Sequence, residues 1–133
     1  MGLLRVQQHE MREWRSKNFP GHTWEEQFIG VVEEVGELGH HLLKQKQGIR
    51  GTHSEHELGA KDAVGDIVIY LMGLCEARGW DLQDILEDTV SSVLKRDWQK
   101  DPQAGVTATP AVQSGSAIDL LRENDGDSDW EGR

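Results

Sequence analysis

Two helix-start signals, each followed by a long stretch with apolar residues at helical spacing, constrain the fold of this chain most strongly. Thr23-Trp24-Glu25-Glu26 and Ser54-Glu55-His56-Glu57 both have the pattern of a capping box, in which a hydroxyl and a glutamate satisfy free backbone N–H groups at a helix start. No internal repeat and no alternating strand pattern accompanies them. The sequence therefore predicts an all-α domain.

The apolar spacing and the turn residues predict about four core helices arranged as a bundle. Their expected ranges are Leu3 to about Asn18, Thr23 to about Lys46, Ser54 to a stop at Gly79, and a fourth helix that begins at its cap Asp81 and reaches Trp98. The fourth helix is expected to bury a stripe made of Leu82, Ile85, Leu86, Val93 and Leu94.

The composition changes after Asp101-Pro102, first to Gly, Ala, Thr, Ser and Pro and then to an acidic end from Glu123 to Glu131. Such a stretch has little to bury, which is typical of disorder. We therefore expect a helical domain over residues 1–100 and a disordered acidic tail over 101–133. Within that tail, Ala117 to Arg122 is interpreted either as a solvated segment or as a helical turn that docks on a partner.

The net charge of -10 argues against a nucleic-acid-binding protein, because phosphate contacts need a basic face. The longest apolar run, Ile67 to Met72, is too short to cross a bilayer, so no membrane association is expected. Cys75 is the single cysteine and cannot form an intrachain disulfide, which fits a cytoplasmic protein best.

Two acidic patches are the most informative residues for function: Glu33, Glu34 and Glu37 on the second helix, and Asp62 and Asp66 on the third. At about 100° per residue, Asp62 and Asp66 lie about 40° apart, so each patch occupies one helix face. Asp66 is followed directly by the apolar run Ile67 to Leu71, and several half-buried like charges without compensation are costly. A divalent cation removes that cost, and magnesium prefers such oxygen ligands. The alternative is a solvated acidic face.

The Glu-Glu-x-x-Glu pattern and the later Gly65-Asp-Ile-Val-Ile-Tyr-Leu71 segment resemble the MazG-like nucleoside triphosphate pyrophosphohydrolases, over roughly Trp14 to Trp98. The similarity implies a magnesium-dependent hydrolase, with manganese as an alternative metal, that cleaves a nucleotide between its α and β phosphates into a nucleoside monophosphate and pyrophosphate. It also implies metal ligands at Glu34, Glu37 and Asp66, with catalytic roles for Glu34 and for Glu33, the latter as a further ligand or a water-orienting group.

The chain departs from that family's Glu-x-x-Asp motif, because Ala63 stands three residues before Asp66. Asp62, one turn from Asp66, is the expected replacement ligand. The departure leaves the number of metal ions open and supports a different hypothesis, a catalytically inactive helical binding module. The same chemistry on another nucleotide, such as phosphoribosyl-ATP, dUTP, dCTP or an alarmone, also stays open.

Candidates for substrate binding lie outside the acidic patches. Trp14, Phe19 and Trp24 are expected to form a flat apolar surface for a base, although core packing explains each of them equally well. Lys95 and Arg96, placed in the last turn of the fourth helix, are candidates for phosphate contacts or ordinary partners of the helix dipole. No zinc-motif spacing is present, so His40, His41, His53 and His56 are interpreted as surface residues.

Glycines inside the predicted helices, namely Gly30, Gly36, Gly39, Gly65 and Gly73, each cost up to about 1 kcal/mol relative to alanine. Close approach of helices, within or between subunits, is the expected compensation. Since four helices of this length bury only a modest core, we expect a homodimer or homotetramer, as the family resemblance also suggests.

Overall fold

The computed structural model describes residues 2–105, and within them the chain is all-helical, which confirms the predicted fold class. The four helices are α1 (Leu3–Asn18), α2 (Trp24–Gln47), α3 (His53–Ala77) and α4 (Leu82–Leu94). The predicted disordered tail falls almost wholly outside the described residues, as does the segment Ala117 to Arg122. No described helix is long and apolar enough to cross a membrane.

The start of α2 is the predicted capping box. The Thr23 hydroxyl accepts a hydrogen bond from the Glu26 backbone N–H at 3.3 Å, and the Glu26 carboxylate accepts one from the Thr23 N–H at 3.2 Å. The helix ends at Gly48, whose φ of 68° is left-handed and whose N–H donates to the Lys44 carbonyl at 2.9 Å.

The start of α3 differs from the prediction, because the N-cap is Thr52 and not Ser54. The Thr52 hydroxyl accepts from the Glu55 N–H at 3.1 Å, while the Glu55 carboxylate accepts from the Thr52 N–H at 2.7 Å. Both candidate caps have a glutamate three residues later, so the local pattern fits either one. The loop decides between them, since Arg50 and Gly51, with φ of 58° and 142°, turn the chain just before Thr52.

The helix α4 begins as predicted and ends earlier. Asp81 caps it by accepting from the Asp84 N–H at 3.1 Å, but the last helical residue is Leu94, so Lys95 and Arg96 do not lie in a helical turn. Residues 95–105 form part of a separate unit. In that unit Asp97 accepts from the N–H groups of residues 99 and 100, and such a side-chain turn competes with continued helix.

The predicted buried stripe of α4 is wrong, because none of its residues is buried in this chain. Ile85, Leu86, Val93 and Leu94 are all exposed. The hydrogen bonds between α1 and α4 lie at the start of α4: Arg5 binds Asp84, and the Gln8 amide oxygen accepts from the Leu82 N–H at 2.9 Å. The rest of the apolar stripe has no covering helix within residues 2–94.

The helices α2 and α3 form an antiparallel hairpin with three close contacts at glycines. A Cβ atom added at Gly30 would overlap the Tyr70 ring, one added at Gly73 would overlap the Gln27 amide, and one added at Gly59 would overlap the His41 ring. These three contacts belong to one register. Moving a given number of residues forward along α2, from one contact to the next, corresponds to moving the same number back along α3. The expected close approach is confirmed at Gly30 and Gly73, whereas Gly36, Gly39 and Gly65 have no neighbour within 4 Å of an added Cβ.

Candidate functional site

Glu34 on α2 faces Asp66 on α3 across the hairpin. Counting four residues on from Gly30 and four back from Tyr70 arrives at these two positions, so the Gly30–Tyr70 contact sets them opposite each other. Both side chains are partly buried, and both line one cavity of about 480 Å³. The structure thus brings together one predicted metal ligand from each helix.

The electrostatics of this site are those of crowded carboxylates. The pKa of Glu34 is raised, first by desolvation, then by the negative charge of Asp66, with smaller effects from Glu33, Glu37 and Asp62. Both causes disfavour the ionised form of Glu34. A cation beside Glu34 and Asp66 would oppose both effects, so the residues present fit a divalent metal ion.

The other predicted acidic residues lie further from the cavity. Glu33, Glu37 and Asp62 are exposed and do not line it. One oxygen of Glu37 instead accepts from the Nε2 atom of His41 at 3.0 Å. Within residues 2–105, no group of three or more His, Cys, Asp or Glu side chains is arranged to hold a metal ion by itself.

Ala63, three residues before Asp66, is almost completely buried, with 1% of its surface exposed. The register of the hairpin places it opposite Glu37. A methyl group at this position packs between the helices, whereas a carboxylate would be directed at the acidic patch of α2. Asp62 does not replace it on the same face, because the Asp62 side chain is exposed.

Two of the three predicted aromatic residues line the same cavity as the acidic pair. Trp14 and Phe19 meet edge to face, with ring centroids 5.6 Å apart, and each is about half exposed. Trp24 does not line this cavity but a separate groove. The guanidinium carbon of Arg78 lies 5.4 Å from the centroid of the Trp24 ring. The predicted phosphate contacts Lys95 and Arg96 belong to the separate unit, where Arg96 lies over the Trp98 ring.

Two buried polar residues of the cavity wall were not predicted from the sequence, Arg15 and Gln27. Arg15 is 3% exposed, and its guanidinium donates to Glu76 and to the Ile69 carbonyl, both at 3.0 Å. Gln27 is 6% exposed, and its amide oxygen has no hydrogen-bond partner among residues 2–105. Gln27, Gly30 and Glu34 are spaced so that they lie on one face of α2. This spacing could have indicated that Gln27 belongs to the cavity wall.

Comparison of the chain with protein-family models, with curated proteins and with solved structures found no significant match. A functional proposal therefore depends on the cavity and its residues.

Proposed function

We propose that this protein is a magnesium-dependent nucleoside triphosphate pyrophosphohydrolase, which cleaves between the α and β phosphates. The observation that carries the proposal is the shared cavity, in which Glu34 and Asp66 form an acidic wall and Trp14 and Phe19 an aromatic one. A nucleotide has the matching parts, a polyphosphate that binds through a metal and a base that stacks on aromatic rings. The volume of about 480 Å³ lies in the range of small-molecule sites.

The metal would be held by Glu34 and Asp66. Glu37 and Asp62, the other predicted ligands, are exposed and do not line the cavity, so they would have to turn toward this pair to bind the same ion. Magnesium prefers carboxylate oxygen and usually keeps several waters, and manganese accepts the same ligand type. When bound, the metal supplies positive charge to the triphosphate and makes a coordinated water more acidic. This accounts for how a protein with a net charge of -10 binds a polyanion.

The protein's own groups position the substrate around this acidic pair. Trp14 and Phe19 offer edge and face contacts for a base, and Glu33 is proposed to orient the attacking water or to serve as a further ligand. Water attacks the α-phosphorus and loses a proton to solvent, the bond from that phosphorus to the bridging oxygen breaks, and pyrophosphate leaves with that oxygen. Arg15 is already neutralised by Glu76, so its role here is to hold α1 against α3.

The proposal includes a homodimer or homotetramer. Exposed apolar side chains lie on both α2 and α4, and those on α4 are Ile85, Leu86, Val90, Val93 and Leu94. Burial of such a surface against a second copy is favourable by about 25 cal/mol per Å² of apolar area, before the cost of association. In that assembly Lys95 and Arg96 stay candidates for phosphate contacts.

A nucleotide panel tests the proposed activity. The full chain is incubated with magnesium and canonical nucleoside triphosphates, dUTP, dCTP, phosphoribosyl-ATP or an alarmone, and released pyrophosphate is measured. We expect turnover of at least one substrate, and its loss in Asp66→Asn with unchanged helicity by circular dichroism. Asp88→Asn, a change on the exposed surface of α4, is the matched control and should keep the activity.

Two results would contradict the proposal. Full activity in Asp66→Asn would remove that carboxylate from the site. No turnover of any substrate by the folded protein would favour the alternative, a helical binding module, for which the buried Ala63 is the specific supporting observation.

A further inference from the structure

Two imidazole rings meet at the loop end of the hairpin, outside the cavity described above. His41 on α2 and His56 on α3 place their Nδ1 atoms 3.2 Å apart. His56 is 4% exposed, so the expectation that these histidines are surface residues is wrong for it. The His41 ring rests on Gly59, the one position of α3 at which a Cβ atom would overlap that ring.

The Nε2 atom of each ring, on the side away from the other ring, has a partner that can only accept a hydrogen bond. The Nε2 atom of His56 lies 3.0 Å from the Ile49 carbonyl oxygen, and the Nε2 atom of His41 lies 3.0 Å from a Glu37 carboxylate oxygen. A carbonyl has no proton to give and a carboxylate is an acceptor when ionised, so both Nε2 atoms carry hydrogen.

These partners determine what lies between the rings. A neutral imidazole with hydrogen on Nε2 has a lone pair on Nδ1, so two such rings direct lone pairs at each other. Two acceptors 3.2 Å apart cannot form a hydrogen bond. The arrangement requires a positive species between them, which is either one extra proton or a metal ion.

We propose that His41 and His56 bind a transition metal ion of the zinc class through their Nδ1 atoms. Two nitrogen ligands at 2.0 to 2.1 Å in a tetrahedral arrangement lie about 3.4 Å apart, close to the spacing observed here. A metal-binding histidine commonly donates its other N–H to a carboxylate or a backbone carbonyl, and both types of partner are present, Glu37 and Ile49.

His40 is positioned to become a third ligand. Its ring centroid lies 5.4 Å from that of His41 and 6.4 Å from that of His56, so the three rings form a triangle at one end of the hairpin. The site as it stands has two protein ligands in place, and the exposed His40 side chain would have to change its rotamer to become the third. Water would complete the coordination.

The nitrogen ligands separate this site chemically from the acidic pair. Imidazole selects zinc, copper, nickel and cobalt, whereas carboxylate and water ligands suit magnesium. An excess of magnesium should therefore not displace zinc from the histidines. This inference does not depend on the proposed hydrolase activity, because it concerns a different metal with different ligands. Glu37 takes part in it only as the acceptor of the His41 Nε2 hydrogen bond.

Zinc binding to the full chain tests the inference directly. Zinc is titrated in competition with a chromophoric chelator, with magnesium present, and we expect one tightly bound zinc per chain. His41→Ala should weaken zinc binding at least about tenfold, because even loss of a residue that only supports a metal ligand typically lowers the affinity by that factor. His53→Ala, a change of an exposed histidine just outside the pair, is the matched control and should leave the affinity unchanged.

A spectroscopic measurement keeps the test independent of variant folding. In long-range ¹H–¹⁵N spectra of the unaltered protein, zinc should shift the Nδ1 resonances of His41 and His56 while their Nε2 atoms stay protonated. Zinc affinity that is equal in His41→Ala and the parent protein would overturn the proposal. Nδ1 resonances that do not respond to zinc would also overturn the proposal. They would indicate that the two Nδ1 atoms share a proton and do not bind a metal ion.

Discussion

Tyr70 of α3 lies directly over Gly30 of α2, so that a Cβ atom added at Gly30 would overlap the phenol ring. The contact sets how closely the two helices approach, and one turn further along it sets Glu34 opposite Asp66. The distance between Glu34 and Asp66 therefore depends on Gly30, a residue without a side chain.

Replacing Glu34 with Gln should stabilise the protein in the absence of metal. The pKa of Glu34 is raised by desolvation and by Asp66, so the folded state binds its proton more tightly than the unfolded state. The stability of the parent protein consequently falls as pH rises from the ordinary glutamate pKa through the raised one, and this penalty persists at neutral pH. The variant lacks it.

Urea denaturation at pH 4 and pH 7, with and without magnesium, measures this effect. We expect the variant to be the more stable protein at pH 7, with little difference at pH 4, and only the parent to gain stability from magnesium. Glu10→Gln, a change at an exposed position of α1, is the control. A stability difference that is the same at both pH values would contradict the explanation.

Ala63→Glu should make folding depend on magnesium. The residue is 1% exposed, and an unpaired carboxylate buried there costs several kcal/mol, roughly 2 or more. Because the hairpin register places position 63 opposite Glu37, a metal ion at the acidic patches would recover part of that loss. Thermal unfolding with and without magnesium tests this, and Ala63→Gln, similar in size and uncharged, should show a smaller metal response. An equal response in both variants would count against a metal ion at the acidic patches.

Trp14→Ala should raise KM for the nucleotide more than it changes kcat. Stacking of a base on an aromatic ring is worth about 1–3 kcal/mol. That range corresponds to a rise in KM of roughly 5- to 160-fold. Trp24→Ala is the matched control, since that ring lines a different groove. Steady-state kinetics on the best substrate of the panel would distinguish the two, and a larger KM effect at position 24 would move the base site away from Trp14 and Phe19.

Arg15→Ala should destabilise the fold by about 3 kcal/mol, because it leaves the mostly buried Glu76 carboxylate without its cation. Arg12 also approaches Glu76, at 3.8 Å, but its side chain is 61% exposed. Arg12→Ala should therefore cost less than about 1 kcal/mol. Chemical denaturation of both variants measures the difference, and similar losses would mean that burial of Arg15 has no energetic consequence.

Thr52→Ala should cost about 1 kcal/mol of stability, the usual value for a lost N-cap. Ser54→Ala, at the other candidate cap, should change stability by less than about 0.5 kcal/mol. The Thr52 N–H and hydroxyl also hold the pKa of Glu55 below its usual range, so the Thr52 contribution should decrease when acid protonates Glu55. Thermal unfolding at pH 7 and pH 3 checks both statements, and a larger effect at position 54 would contradict the observed cap.

The acidic pair could be predicted because helical spacing alone places Glu34 and Asp66 on one face each, and the short loop between α2 and α3 makes those helices neighbours. The start of α3 could not, because Thr52 and Ser54 have the same local pattern and only the loop conformation separates them. Similarly, nothing local distinguishes Trp14 from Trp24 as a cavity residue, since the packing of α1 on the hairpin decides it. The burial of His56 depends on its contact with His41, and no spacing in the sequence predicts that contact.

The two walls of the cavity come from different parts of the chain. The acidic wall belongs to the α2–α3 hairpin, whose register is set within that hairpin, whereas Trp14 and Phe19 belong to α1 and the turn that follows it. Under the proposed function, mutations in the first helix would alter which nucleobase is preferred without disturbing the distance between the carboxylates, and selectivity would then evolve separately from hydrolytic power.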